Sequence, residues 1–166
     1  MRYHTAMAIS VLSAVVSFIA GATVVAGQVL ARSEDEPPPA SVEDFKAHVL
    51  HHPDLPAVEL AKGSHSRLVV GEQSLISFLK MEAHSYFAPH RHKAEQIMIV
   101  MDGYCDEIIE GKLYRVRKGD VVILPSNIEH GAYIRDEDCI VIDVFGEVRG
   151  DYLMKMQQAM ASKGPK

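Results

Sequence analysis

From Ser66 to Phe145 the sequence consists of short β-prone runs separated by glycine, proline, asparagine and aspartate. Asp102-Gly103 and Glu110-Gly111 lie between neighbouring runs, where hairpin turns need residues that tolerate positive φ. The eight runs are residues 67–70, 74–80, 96–101, 104–109, 113–116, 120–124, 132–135 and 139–145. Short strands at roughly even spacing predict an all-β sandwich or barrel.

The amino-terminal segment differs in character, because no Asp, Glu, Lys or Arg occurs from Thr5 to Ala31. Val29-Leu30-Ala31 places small residues where a signal peptidase could cut before Arg32. The apolar stretch is also long enough to span a bilayer. Residues 1–31 are therefore interpreted as a signal peptide or a retained membrane anchor. Either interpretation predicts a secreted or periplasmic domain that meets the membrane through this segment alone.

The β-rich region is flanked by two segments of other composition. Residues 32–65 are predicted to form a linker and an irregular segment, because they begin with a charged, proline-rich stretch. The barrel is predicted over residues 66–146. A helical tail is expected over residues 147–166, where apolar residues at 152, 153, 156 and 160 share one helix face and Asp151 stands at a capping position.

The charge balance argues against a nucleic-acid partner. The chain has 22 acidic and 17 basic residues, a formal net charge of −5, and no block of Lys or Arg that would neutralise phosphates. A small-molecule substrate or ligand is the expected partner, and a homodimer remains open. Cys105 and Cys139 are expected to be buried small apolar side chains, although export to an oxidising compartment would also allow a disulfide between them.

The stretch that carries chemistry is His90-Arg91-His92. If this stretch is a strand, both imidazoles face the same side, because side chains alternate with period two. A third histidine, His130, follows a buried run and a proline-led turn. Histidines so arranged predict a site for one divalent metal ion such as Zn, Mn, Fe, Ni or Cu. Four further histidines without such a motif are expected to be surface or hydrogen-bonded core residues and not metal ligands: His48, His51, His52 and His65.

These residues resemble the two motifs of the cupin superfamily. His90 and His92 match the paired histidines of the first motif, and Gln96 occupies the position of its glutamate. Gly103 closes the first motif, and the second is matched by Gly119, Pro125 and His130. The resemblance implies a small jelly-roll β-barrel with a short C-terminal helix, in which His90, His92, Gln96 and His130 hold the metal.

The chain also departs from these motifs. His84 and Asn127 stand where the motifs have glycine, and Ile134 replaces an asparagine. An alternative register makes Glu95 the ligand in place of Gln96. Period two puts these neighbours on opposite faces of one strand, and Gln96 keeps the motif's spacing to Gly103, so Gln96 is favoured.

The resemblance leaves several functions open. The Glu-Gln pair after His-x-His is similar to a subgroup that linearises unsaturated ketouronates in pectin breakdown. This similarity favours a metal-dependent isomerase or lyase that acts on a small oxygenated anion, such as a keto acid, hydroxy acid or sugar acid. A dioxygenase that uses Fe, Cu or Ni and a non-catalytic small-molecule-binding protein are the alternatives. No residue is assigned as the general base.

Overall fold

A computed structural model describes residues 37–162, and the residues from Val42 onward belong to one compact unit. A short helix α1 (Val42–His48) and a 3-10 turn (His52–Asp54) precede ten strands, and a helix α2 (Gly150–Ala161) follows them. The strands are β1 (Val58–Ala61), β2 (Ser64–Val70), β3 (Leu75–Met81), β4 (Tyr86–His90), β5 (Gln96–Asp102), β6 (Tyr104–Ile109), β7 (Lys112–Arg117), β8 (Val121–Leu124), β9 (His130–Tyr133) and β10 (Cys139–Phe145).

The strands form two antiparallel sheets. The larger sheet has the order β1-β2-β3-β10-β5-β8, and the smaller one has the order β4-β9-β6-β7. Strands that are distant in sequence are therefore neighbours in space, as in a jelly roll. The predicted fold class, an all-β jelly-roll barrel with a short C-terminal helix, is confirmed.

All eight predicted β runs contain a strand, and the structure adds two. Strand β1 begins at Val58, ahead of the expected barrel boundary at residue 66. Strand β4 includes Pro89, a residue that lacks the amide hydrogen needed for a regular ladder. The register of β4 against β9 shifts between Phe87 and His90, which accommodates this proline.

The core lies between the two sheets. Burial alternates along β3 and β10, so that one face of each strand points inward. Leu75, Leu124, Val141 and Phe145 are fully buried, and each such side chain contributes about 1.5–3 kcal/mol. Cys105 and Cys139 are both free thiols within this core, as expected of small buried side chains.

Four positions of the two sequence motifs have a left-handed backbone. Gly103 and Gly119 have φ of 70° and 94°. His84 and Asn127, which replace motif glycines, have φ of 64° and 63°. The turns therefore keep the glycine geometry even where the glycine is lost, and His84 carries the larger steric cost because asparagine tolerates this region better.

Helix α2 begins one residue earlier than its predicted cap. Arg149 occupies the N-cap and no described side chain caps the helix, so the prediction that Asp151 caps it is wrong. Asp151 lies in the first turn and forms an ion pair with Arg149. The buried face of α2 contains Tyr152, with Met156 packed against the core, whereas Met160 is exposed.

The predicted signal peptide or anchor, residues 1–31, lies outside the described residues. Within residues 37–162, neither helix is long and apolar enough to cross a membrane.

Candidate metal centre

Three histidines meet where β4 and β9 lie side by side. His90 is the last residue of β4, His130 is the first residue of β9, and the two are directly paired in register. The centroid of the His130 ring lies 4.5 Å from that of His90 and 4.8 Å from that of His92. One nitrogen from each ring lies within 4.8 Å of the others, so the cluster could hold a metal ion.

The expected strand geometry of His-x-His is only half correct. Strand β4 ends at His90, and His92 lies in the loop that leads to β5. The alternation of side chains along a strand therefore does not explain why the two rings converge. The loop turns back so that His92 points into the barrel, where its ring also packs edge-on against Phe145 with centroids 5.6 Å apart.

Each imidazole is held by its backbone in the same tautomer. Nδ1 of His90 lies 3.0 Å from the Ala88 carbonyl oxygen, Nδ1 of His92 lies 2.8 Å from that of Ala94, and Nδ1 of His130 lies 3.0 Å from that of Ile128. A carbonyl oxygen only accepts, so each Nδ1 carries the proton and donates it. In the neutral rings, every Nε2 is then left with a lone pair.

Gln96 adds a fourth lone pair. Its amide nitrogen donates to Asp143 Oδ1 at 2.8 Å, and its Oε1 lies 3.1 Å from His92 Nε2. Two acceptors that face each other at this distance repel unless a proton or a cation lies between them. His130 Nε2 is also buried and has no hydrogen-bond partner among residues 37–162. This donor set fits a divalent metal ion.

The surroundings of His92 and His130 favour their neutral imidazoles, because they lower the pKa of both rings. Burial is the main cause that lowers the pKa of His130 to about 4; His90, His92 and Arg149 also lower it, against the opposing effect of the hydrogen bond to the Ile128 carbonyl. Burial also lowers the pKa of His92, with the positive charge of Arg149 as the next contribution. A proton is therefore a poor occupant of the space between the rings at neutral pH, whereas a metal ion needs neutral imidazole.

Glu95 and Gln96 lie on opposite faces at the start of β5. Glu95 is exposed and Gln96 is buried. The structure therefore brings Gln96, and not Glu95, beside the histidines. Arg91 and Lys93, which flank His92, are exposed and form ion pairs with Glu129 and Glu147.

Two buried carboxyl groups complete the site and were not assigned from the sequence. Asp143 is 2% exposed, and burial raises its pKa to about 7 against the opposing effect of hydrogen bonds from Gln96 and Ser77. Glu107 is 3% exposed and lines the same cavity as Asp143. Burial raises its pKa well above the ordinary value, with a further contribution from Asp143. Both could have been recognised as acidic residues that interrupt apolar β runs at inward-facing positions.

These groups line one narrow cavity between the sheets. His90, Gln96, Glu107, His130 and Asp143 all contribute to its wall, and Tyr152 of α2 closes one side. The free space is about 30 Å³, roughly the volume that one molecule occupies in liquid water. The cavity as it stands holds an ion or a water molecule and no larger ligand.

Arg149 lies next to this cavity with one nitrogen unused. Its guanidinium stacks on the Tyr152 ring at 3.9 Å and pairs with Asp151 through Nη2 at 2.5 Å. Nη1 is buried and has no partner among residues 37–162. Its positive charge lowers the pKa of both His92 and His130, so Arg149 contributes to the electrostatics of the histidine cluster.

Part of the chain is similar to known proteins. Residues 77–145 match the family model described as "Cupin domain". The pectin degradation protein KdgF of Dickeya dadantii is 33% identical over 66 residues, which are 39% of this chain and 60% of that protein. The matched stretch thus spans less than two thirds of the curated relative.

Solved structures support the same fold. An RmlC-like cupin from Shewanella frigidimarina superposes with a TM-score of 0.59 at 19% identity, over 63% of this chain and 95% of that one. KdgF from Halomonas superposes with a TM-score of 0.57 at 25% identity, over 61% of this chain and 94% of that one. The first of these similarities shows the fold alone.

Proposed function

We propose that this chain, which is a single-domain cupin resembling the KdgF proteins, is a metal-dependent isomerase or lyase that acts on a sugar-acid-like anion. The observation that carries the proposal is the convergence of the His90, His92 and His130 imidazoles, with the Gln96 Oε1 lying 3.1 Å from the lone pair of His92 Nε2. These four residues would hold one divalent ion. When bound, the ion would supply Lewis-acid chemistry by polarising a carbonyl or hydroxyl group of the substrate.

The charge of the site favours an anionic substrate. Three neutral imidazoles and a neutral amide would leave the full charge of a divalent ion uncompensated, whereas a glutamate at position 96 would neutralise half of it. The unpartnered Nη1 of Arg149 offers a second attachment point for a carboxylate. A small anion with a carboxylate at one end and a carbonyl or hydroxyl at the other matches both features.

Asp143 is the proposed proton acceptor. Its carboxyl group lies in the wall of the cavity and is fixed by Gln96, one of the proposed ligands. A carboxyl with a pKa of about 7 is half ionised near neutral pH, where it both removes and returns a proton efficiently. Glu107 also lines the cavity and provides a second position for a proton. Isomerisation needs such a pair, because a proton leaves one substrate atom and another arrives elsewhere.

The relatives narrow the proposed substrate class. The curated relative is a pectin degradation protein, and the cupin subgroup that this sequence resembles linearises unsaturated ketouronates. An unsaturated uronate carries the carboxylate, hydroxyl and enolisable groups that the site favours. It is much larger than the free space in the cavity, so its binding requires side chains that line the cavity to move.

The first experiment measures bound metal and then activity. The purified chain is offered Zn, Mn, Fe, Ni and Cu, and we expect close to one metal ion per chain by elemental analysis. His130→Ala should lose it, whereas His65→Ala should retain it, because His65 lies on β2 outside the cluster and pairs with Glu82. A wild-type chain that binds none of these metals would contradict the proposal.

In the second experiment, the metal-loaded protein is mixed with an unsaturated galacturonate produced by a pectate lyase, and the ultraviolet absorbance of this substrate is recorded over time. We expect its ultraviolet absorbance to fall faster than in the His130→Ala control. Oxygen consumption is recorded in parallel, since the ligand set is also compatible with Fe, Cu or Ni oxygen chemistry. Oxygen uptake coupled to substrate loss would replace the isomerase or lyase with a dioxygenase, and tight binding without turnover would indicate a binding protein.

A further inference from the structure

A row of hydrogen-bonded polar side chains crosses the interior of the larger sheet. Its members, Ser66, Ser77, Asp143 and Gln96, lie on four strands that are consecutive in that sheet, β2, β3, β10 and β5. The Ser66 and Ser77 hydroxyl oxygens are 2.8 Å apart. Ser77 is the direct register partner of Asp143, and its hydroxyl is close enough to donate to the Asp143 carboxyl group and lower its pKa. Asp143 in turn accepts from Gln96 at 2.8 Å. We call these four residues the polar row.

The hydrogen bonds of the polar row have a definite direction when Asp143 is ionised. A carboxylate only accepts, so Ser77 and Gln96 both donate to it. Ser77 has then used its one proton, so Ser66 must donate to Ser77. Every proton in the row points toward Asp143, and each hydrogen bond polarises the next. The row thus holds the carboxylate from the side opposite to Gln96.

The two serines occupy positions that otherwise belong to the apolar core. Ser66 and Ser77 are 1% and 0% exposed, and their inward-facing neighbours along the strands are residues such as Leu68, Leu75 and Leu79. A buried hydroxyl costs free energy that its hydrogen bonds only partly return. Packing alone would be served better by alanine or valine, so the hydroxyls have another role.

We propose that Ser66 and Ser77 are positioning residues that hold Asp143 and, through it, turn the amide oxygen of Gln96 toward the histidines. A glutamine amide can place either its oxygen or its nitrogen toward the imidazoles, and only the oxygen can serve as a metal ligand. Asp143 determines the orientation because it accepts a hydrogen bond from the amide nitrogen, which leaves the amide oxygen facing the histidines. This inference rests on the proposed function, since it concerns the same ligands, and it adds two residues that touch neither the metal nor the substrate.

The chain provides a matched control in Ser64. This serine is also on β2, also faces inward and is 0% exposed, but its hydroxyl has no partner among residues 37–162. Ser64→Ala removes a buried hydroxyl without touching the polar row. Ser77→Ala and Ser66→Ala remove members of the row, and Ser77→Thr restores the hydroxyl with one added methyl group.

The first readout needs no metal and no substrate. In the metal-free protein, the side-chain amide protons of Gln96 should exchange slowly with solvent, as measured by NMR, because Asp143 holds them. We expect Ser77→Ala to speed this exchange about tenfold, Ser77→Thr to restore most of the protection, and Ser64→Ala to leave it unchanged. Unchanged protection in Ser77→Ala, or equal loss in Ser64→Ala, would overturn the inference.

The second readout is the dissociation constant for Zn, measured by competition with a chromophoric chelator. We expect about tenfold weaker binding in Ser77→Ala, a smaller loss in Ser66→Ala, and wild-type binding in Ser64→Ala and Ser77→Thr. Equal zinc affinity in Ser77→Ala and wild type would contradict the positioning role. If the zinc affinities of the wild type and the variants follow this order but the wild type does not turn over the uronate, the positioning role of the polar row is supported and the proposed activity is contradicted.

Discussion

Replacing Asp143 with asparagine should make the protein more stable at alkaline pH, although it removes the proposed proton acceptor. Asp143 is 2% exposed, and burial raises its pKa from an ordinary 3.8 to about 7. Below pH 3.8 the carboxyl is protonated in both the folded and the unfolded chain. As the pH rises from about 4 to about 7, the unfolded chain loses this proton first, so the folded state becomes progressively less favourable.

The size of the effect follows from the two pKa values. One pKa unit corresponds to about 1.4 kcal/mol, so the full cost of ionising Asp143 in the folded state approaches about 4 kcal/mol above pH 7. About 1 kcal/mol of this is already present at pH 4.5, because the unfolded chain is then partly ionised. The advantage of Asp143→Asn over wild type should therefore grow by about 3 kcal/mol between pH 4.5 and pH 8.

The assay is urea unfolding of metal-free wild-type and variant protein at pH 4.5, 6 and 8. The comparison removes a second pH effect, because His130 has a depressed pKa of about 4 and destabilises both proteins equally as the pH falls below 6.5. Glu107 also remains in both proteins, and burial, the main cause of its raised pKa, is the same in each, although the smaller contribution from Asp143 is lost in the variant. Parallel stability curves for wild type and Asp143→Asn would refute the reasoning, since they would mean that Asp143 ionises alike in the folded and unfolded chains.

Three further predictions follow from the site, the backbone and the amino terminus. Gln96→Ala should weaken zinc binding about 10- to 100-fold whereas Glu95→Ala should leave it unchanged, and the reverse result in a chelator competition would show that the ligand register is wrong. At position 84, where φ is 64°, His84→Gly should be more stable than His84→Val by about 2 kcal/mol in urea unfolding, and equal stability would contradict a left-handed backbone there. The full-length chain should be exported, so that amino-terminal sequencing of the mature protein starts at Arg32 or the intact chain fractionates with membranes; recovery of the full chain in the soluble cytoplasm would contradict both forms of the prediction.

The sequence determined the class of fold and most of the candidate centre. Short alternating runs separated by turn residues have few stable solutions other than an antiparallel sandwich or barrel, because each run buries one face. The spacings of His90, His92 and His130 indicated a shared metal site, because imidazoles brought together are favoured ligands of divalent metal ions. The choice of Gln96 over Glu95 also came from a local rule, since neighbouring residues on a strand face opposite ways.

The tertiary structure decided which residues surround that centre. His92 lies beyond the end of β4, so its approach to His130 depends on the loop and on packing against Phe145 rather than on strand periodicity. His84 keeps a glycine-like backbone without being glycine, which only the folded turn reveals. In each case the decisive constraint comes from residues distant along the chain.

The role of Asp143 is the clearest example of a property that the sequence alone does not reveal and the tertiary structure decides. Its sequence neighbours mark it as one acidic residue inside a β run, and nothing local states its partners. Sheet pairing places β10 between β3 and β5, which brings Ser77 and Gln96 to its two sides. Its pKa, its hold on the Gln96 amide and its access to the cavity all depend on that arrangement. Hydrogen bonding and desolvation act over a few ångströms in space, and the sequence fixes those distances only through the completed fold.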